Sequence, residues 1–124
     1  MTYDTNNIFA KIIRGEIPCD KIYEDENTFA FHDISKAAPV HVLVVPKGEY
    51  VSFDDFSQNA NESQIASFFK SIRKIAAQLG VDKTGYRLIT NHGSDASQTV
   101  PHFHVHILGG KPLGGLLRDD DISR

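Results

Sequence analysis

The clearest pattern in the chain lies between residues 62 and 79. Ile65, Phe68, Phe69, Ile72, Ile75, Ala76 and Leu79 recur there at three- and four-residue intervals. That spacing gathers the apolar side chains on one stripe, leaves Lys70, Arg73 and Lys74 outside it, and predicts an amphipathic helix. Asn61, with Gln64 three residues on, reads as a reciprocal cap at its start. Gly80 sits where a left-handed residue ends a helix. A shorter stretch over residues 7–14 carries Ile8, Phe9, Ile12 and Ile13 at helical spacing, with Gly15 as its stop and Pro18 just beyond.

Elsewhere the period shortens to two. KIYEDE and TFAFHDI, joined by a turn at Glu26–Asn27, read as a hairpin with Phe29 and Phe31 on one face and Ala30 and His32 on the other. HVLVVP, residues 41–46, is a β-branched run suited to a central strand buried on both sides. YRLITN (86–91) and HFHVHIL (102–108) complete about five strands. Few helices separate them, so the expected architecture is α+β, a mostly antiparallel sheet with one long and one short helix. Residues 1–124 read as a single domain in which 109–124 form a glycine-rich, then acidic tail with no periodic face of its own.

Composition narrows the function classes. The net charge of −3, with no basic block, argues against a nucleic-acid polymer as partner. No apolar run is long enough to span a bilayer, and the N-terminal residues lack the basic-then-apolar order of a secretory signal. A single cysteine, Cys19, forms no internal bridge and reads as an inert, semi-buried thiol. A cytoplasmic location is the expectation.

Three of the six histidines are His102, His104 and His106. On a regular strand they project from one face, roughly 6.5–7 Å apart, while Phe103, Val105 and Ile107 enter the core behind them. A merely polar strand face is one reading, although adjacent imidazoles resist joint protonation. A metal site is a second, but the outer pair stands about 13 Å apart, so a single ion needs an acid or histidine from elsewhere. Nucleophilic and acid–base work on phosphorus is the third. It requires an attacking nitrogen, donors for the phosphoryl oxygens and an acid near the leaving atom. GSDASQTV, just upstream, adds backbone N–H groups and the hydroxyls of Ser94, Ser97 and Thr99.

PHFHVHILGG, together with IFAKIIRGEIP, FAFHDISKAAPVHVLVVPK and NHGSDASQTV, resembles the histidine triad (HIT) family, and within it the Hint branch of purine nucleoside phosphoramidases. The resemblance implies a hydrolase that cleaves the P–N bond of purine nucleoside 5′-phosphoramidates through a nucleotidyl–histidine intermediate. It implies no cofactor, a nucleoside monophosphate or phosphoramidate of the AMP or GMP type as ligand, and a homodimer. By the same resemblance His104 is the nucleophile, and His106 contacts the α-phosphate and leaving group. His102 positions His104 through its backbone carbonyl, and His41 supports the cluster from the neighbouring strand. Asn91, Ser97, Gln98 and Thr99 contact phosphate and leaving group, Asp33 takes the ribose hydroxyls, and Ile8, Phe9, Phe31 and Ile34 wall the base.

Plainer readings stand beside these roles: Asp33 and Asn91 as turn residues, Phe9 and Phe31 as core, His41 as an ordinary sheet histidine. His32 reads as structural. Many bacterial relatives hold zinc with two cysteines, a histidine and the first triad histidine. The matching positions here are Asn7, Ala10 and Glu49, so no metal is expected. Two other functions stay open, a dinucleoside polyphosphate hydrolase of the Fhit branch and a nucleotide-binding regulatory module with incidental turnover.

Overall fold

A computed structural model describes residues 2–117 of the chain; the acidic end of the tail, 118–124, lies outside the described residues. Helix α1 spans Ile8–Ile13 and is followed by strands β1 (Lys21–Glu24), β2 (Thr28–His32) and β3 (Val40–Pro46). Helices α2 (Phe53–Asn59) and α3 (Glu62–Gln78) come next, then β4 (Tyr86–Ile89) and β5 (Val105–Gly109). The five strands form one sheet in the order β1-β2-β3-β5-β4, with every neighbouring pair antiparallel. The mostly antiparallel α+β architecture is therefore observed. Among the described residues no helix is long and apolar enough to cross a membrane.

The two faces of the sheet bury two separate cores. On one, Ala30, Val42, Val44 and Ile107 meet Phe68, Ile72, Ile75 and Ala76 of α3. Each valine, isoleucine and phenylalanine among them contributes roughly 1.5–3 kcal/mol by leaving water. On the other, Phe29, Phe31, Leu43 and Val45 meet Phe9 and Ile12 of α1. The alternation of TFAFH explains the split, since neighbouring residues of a strand point to opposite faces. Helix α1 has six residues and α3 has seventeen, so α1 covers only part of its face. Beyond its reach Phe31 and Leu43 line an open cavity.

Three elements differ from the expectation. Helix α2 was not foreseen: only Phe53 and Phe56 are apolar in its seven residues, too few to show a period, and its one local signal is the Ser52 side chain capping Asp55. Phe69 belongs to the predicted stripe yet is 42% exposed, because the apolar arc of α3 is wider than the face it presses on the sheet. The third difference concerns the histidines. Strand β5 begins only at Val105, so His102 and His104 precede the ladder and only His106 lies within it.

That irregular lead-in is nonetheless firmly held. Phe103 is 1% exposed and stacks on Phe56 at 4.8 Å, with Phe68 at 5.4 Å. Its N–H donates to the Tyr50 carbonyl at 2.8 Å. An aromatic anchor thus fixes the residue between the two histidines and sends their side chains to the opposite side.

Candidate active site

The four histidines of the cluster are wired so that each partner dictates which ring nitrogen holds the proton. A carbonyl oxygen only accepts, so where a ring nitrogen meets one, that nitrogen carries hydrogen. His104 Nδ1 lies 2.7 Å from the His102 carbonyl. Its proton is on Nδ1, and its Nε2 is left with a lone pair. His102 Nε2 donates to the Pro46 carbonyl at 2.8 Å, and its Nδ1 accepts from the Tyr3 hydroxyl at 2.5 Å.

On the neighbouring strand the backbone N–H of Ala37 donates to His41 Nδ1 at 3.0 Å. His41 therefore carries its proton on Nε2 and donates it to His106 Nδ1 at 2.8 Å. His106 in turn holds its proton on Nε2. His104 and His106 both line the cavity, with ring centroids 5.2 Å apart, and offer it complementary atoms. One is a lone pair and the other an N–H donor.

Burial keeps all four rings neutral. It pushes His102 to about 4, and it does the same to His106, where the neighbouring His104 and His41 add to the effect and Asp33 opposes it. His104 and His41 also fall below the ordinary imidazole value, again chiefly through burial. A neutral His104 is the form that can attack.

The row of three equivalent imidazoles expected from strand geometry is thus corrected. His102 is 1% exposed and does not line the cavity. It lies under the edges of Tyr3 and Phe9, with centroids at 5.6 and 6.3 Å, because the chain at 102–104 has not yet entered the ladder. Its contribution to the site runs through its backbone oxygen.

The cavity holds about 420 Å³. Ile8, Phe9, Phe31 and Ile34 wall its apolar part. Ile34 is fully exposed and Ile8 is 48% exposed, so apolar surface stands at the mouth without a protein partner. Phe9 is buried and meets His104 edge-on at 4.9 Å, which makes it a wall of that imidazole as well. Asp33 receives the Ser35 N–H on one oxygen, and its other oxygen is 3.5 Å from His41 Nε2.

Opposite stands the segment 91–99. Its chain turns through Gly93 at φ 80° and Ser97 at φ 60°, and Ser97 is the non-glycine residue with positive φ among those described. Such strain is retained where the surroundings enforce it. Gln98 supplies the enforcement. Its side-chain oxygen accepts from Gly93, and its amide donates to the Val51 and Val100 carbonyls. Gln98 lines the cavity but has no side-chain donor left for a phosphate, so its part here is to clamp the loop. Asn91, Ser97 and Thr99 line the same wall, and their side-chain groups take no partner among the described residues.

Some lining residues escaped the sequence. His32, read there as structural, lines the cavity, and its buried Nδ1 has no hydrogen-bond partner among the described residues. Its neighbour Asp33 was the available signal, since strand β2 ends at His32 and strict alternation ends with it. Leu43 and Ile12 carry no signal, being indistinguishable from core. Cys19 also lines the cavity, with burial raising its thiol.

Among the described residues two sets come close to a metal site, and neither fits. Asn7 is spent as the cap of α1, Ala10 has no ligand atom, and the outer nitrogen of His102 faces Tyr3. Asp33, His41 and His106 bring ligand atoms within 4.8 Å of one another. A metal-bound imidazole donates its second N–H outward. The second nitrogen of His41 instead receives one from Ala37, so a metal at Nε2 would require an imidazolate. Within this triple His41 and His106 are joined by a hydrogen bond, and the Asp33 carboxylate lies beside the same His41 nitrogen without bonding it.

Comparison with known proteins agrees with this geometry. The HIT domain family model matches residues 14–113. The chain is 51% identical over 116 residues to an uncharacterised 13.2 kDa HIT-like protein of Azospirillum brasilense, covering 94% of this chain and 95% of that one. It is 44% identical over 110 residues to a purine nucleoside phosphoramidase of Escherichia coli K12, covering 89% and 92%. Among solved structures, a histidine triad protein from Clostridium difficile superposes with a TM-score of 0.83 at 44% identity, covering 92% and 98%. With its cavity, its paired imidazoles and these likenesses together, the chain belongs to the HIT domain family.

Proposed function

We propose that this protein hydrolyses purine nucleoside 5′-phosphoramidates, with His104 as the nucleophile. The observation that carries the reading is the 2.7 Å bond from His104 Nδ1 to the His102 carbonyl. It commits the proton to the inner nitrogen and leaves the outer one as a lone pair at the cavity. His104 Nε2 attacks the α-phosphorus as the P–N bond breaks. The amine nitrogen takes a proton from solvent at the open cavity and departs, and a nucleotidyl–histidine with its proton still on Nδ1 remains. Water then attacks phosphorus, its proton returns to solvent, the P–Nε2 bond breaks and the neutral ring is restored. His106 Nε2–H, Asn91 and Thr99 are donors for the phosphoryl oxygens, and such fixed donors act most strongly where water is excluded. Ser97 offers its hydroxyl beside them. Asp33 accepts the ribose hydroxyls, and the base lies between Ile8, Phe31 and Ile34. The 44% identity to a purine nucleoside phosphoramidase supports this substrate class.

The same reading includes a homodimer in the cytoplasm. Strand β4 is a sheet edge, and its Tyr86 and Leu88 are 38% and 44% exposed. An exposed edge with apolar side chains is a surface that proteins cover. Sedimentation at micromolar concentration is expected to give twice the chain mass.

The deciding experiment is mass spectrometry of enzyme quenched during turnover of an AMP phosphoramidate. The expected product is a peptide spanning residues 102–106 that carries one AMP. His104→Ala is expected to lose the adduct and at least ~10³-fold in turnover while still binding AMP. An adduct elsewhere, or undiminished turnover, refutes the assignment. Turnover that persists without any adduct points instead to a nucleotide-binding regulator with incidental activity.

A further inference from the structure

The family model begins at residue 14, yet the segment before it reaches the centre of the site. Tyr3 places its hydroxyl 2.5 Å from His102 Nδ1 and its ring edge-on to the same imidazole at 69°. The segment is tied at several points. Asn7 caps α1 through Ala10 N–H and donates to the Asp4 carbonyl at 2.8 Å, and Arg14 donates to the Thr5 carbonyl at 2.7 Å. The ring of Phe9, one turn later, lies against His104.

The chemistry of the contact is one-directional. His102 Nε2 must donate to the Pro46 carbonyl, so Nδ1 is an acceptor and the Tyr3 hydroxyl is the donor. Burial raises the phenol above its ordinary value, and the nearby Glu49 carboxylate adds to this, so the hydroxyl stays protonated. A buried imidazole with one nitrogen unpaired bears the cost of that unsatisfied group and has one anchor fewer against rotation. With both nitrogens engaged the ring is fixed, and it adds to the Phe103 N–H bond to the Tyr50 carbonyl in holding the peptide whose oxygen meets His104.

We propose that Tyr3 is a positioning residue of this site: its hydroxyl fixes the ring of His102 and, through the His102 carbonyl, the attacking tautomer of His104. The inference rests on the phosphoramidase reading for its kinetic consequence and on geometry alone for its spectroscopic one. Groups that orient a metal-bound histidine change affinity or activity by about 10–100-fold when removed, and the low end of that range is the scale expected for a donor acting on a metal-free imidazole. Because the hydroxyl touches no substrate, the loss falls on kcat and leaves KM in place.

Tyr3→Phe keeps the ring and removes the donor. In protein labelled with ¹⁵N-histidine, the His102 Nδ1 resonance is expected to move to the position of an unbonded acceptor nitrogen. In the same variant kcat is expected to fall about tenfold with KM within about twofold, and the melting temperature by about 4–10 °C, the cost of one unpaired buried nitrogen. Tyr3→Ala is expected to lose kcat similarly and to melt lower, since it also loses the ring. An unmoved His102 resonance in Tyr3→Phe overturns the contact. A moved resonance with unchanged kcat overturns the positioning role. If the parent protein itself forms no adduct on His104, the phosphoramidase reading fails, and the nitrogen resonance still decides the Tyr3 contact.

Discussion

A neutral histidine has one donor and one acceptor, and the site uses that asymmetry at every ring. His104 turns its proton inward and its lone pair outward, and His106 does the reverse. The difference between two chemically identical side chains comes from one carbonyl and one neighbouring imidazole. His41 is the less obvious member. It is 6% exposed and has no place on the cavity wall, yet it fixes the proton of His106. Replacing His41 with Ala leaves His106 Nδ1 without a donor and lets its proton move to that nitrogen, which withdraws the N–H from the cavity. We expect His41→Ala to lower kcat about tenfold, the low end for an orienting partner. The histidine ¹⁵N spectrum is expected to show mixed tautomers at His106. An unmixed His106 with full kcat contradicts this account.

At the scale of elements, legibility follows the length of the signal. Helix α3 was readable apart from Phe69: the rest of its stripe, its Asn61–Gln64 reciprocal cap and the positive φ of Gly80 are all observed. Each rests on local rules that act over a few residues. Asn61→Ala removes an acceptor for Gln64 N–H at 2.8 Å and is expected to cost about 1 kcal/mol. A drop of roughly 4 °C in melting temperature checks it, with turnover unchanged because α3 lies behind the other face of the sheet. Helix α2 was not readable, since seven residues with two phenylalanines hold too little periodicity. The candidate site shows the same division. Its residue types were legible from the alternation HFHVHI. The departure of His102 from the row was not, because it depends on Tyr3 and Pro46, 99 and 56 residues away in the chain. Nor could Gln98 be recognised as a clamp, since its partners are carbonyls and an N–H gathered by the fold rather than by sequence spacing.

For the whole molecule, keeping several imidazoles neutral in the interior has a thermodynamic cost in acid. His102 and His106 have an ordinary value of 6.5 and are held at about 4 in the fold. The unfolded chain therefore binds more protons than the folded one between those limits. Stability rises with pH wherever that holds, so the contribution is complete above about 6.5 and is lost as pH falls toward 4. The shift at fully buried His102 corresponds to about 3 kcal/mol. His106, beside the open cavity, contributes less. Carboxylates act in a lower window. Hydrogen bonds hold Asp25 below its ordinary value in spite of burial, and the ammonium groups of Lys47 and Lys21 do the same for Glu24, so their share disappears only as these groups protonate. Urea unfolding measured from pH 8 to pH 4 is expected to give a flat plateau above pH 7 and a decline of several kcal/mol below pH 6. A further fall is expected in stronger acid. His102→Phe, which cannot be protonated, is expected to have a shallower decline between pH 6 and 4 than the parent, whatever its stability at pH 8. Parallel slopes for the two proteins would show that His102 is not held neutral by the fold.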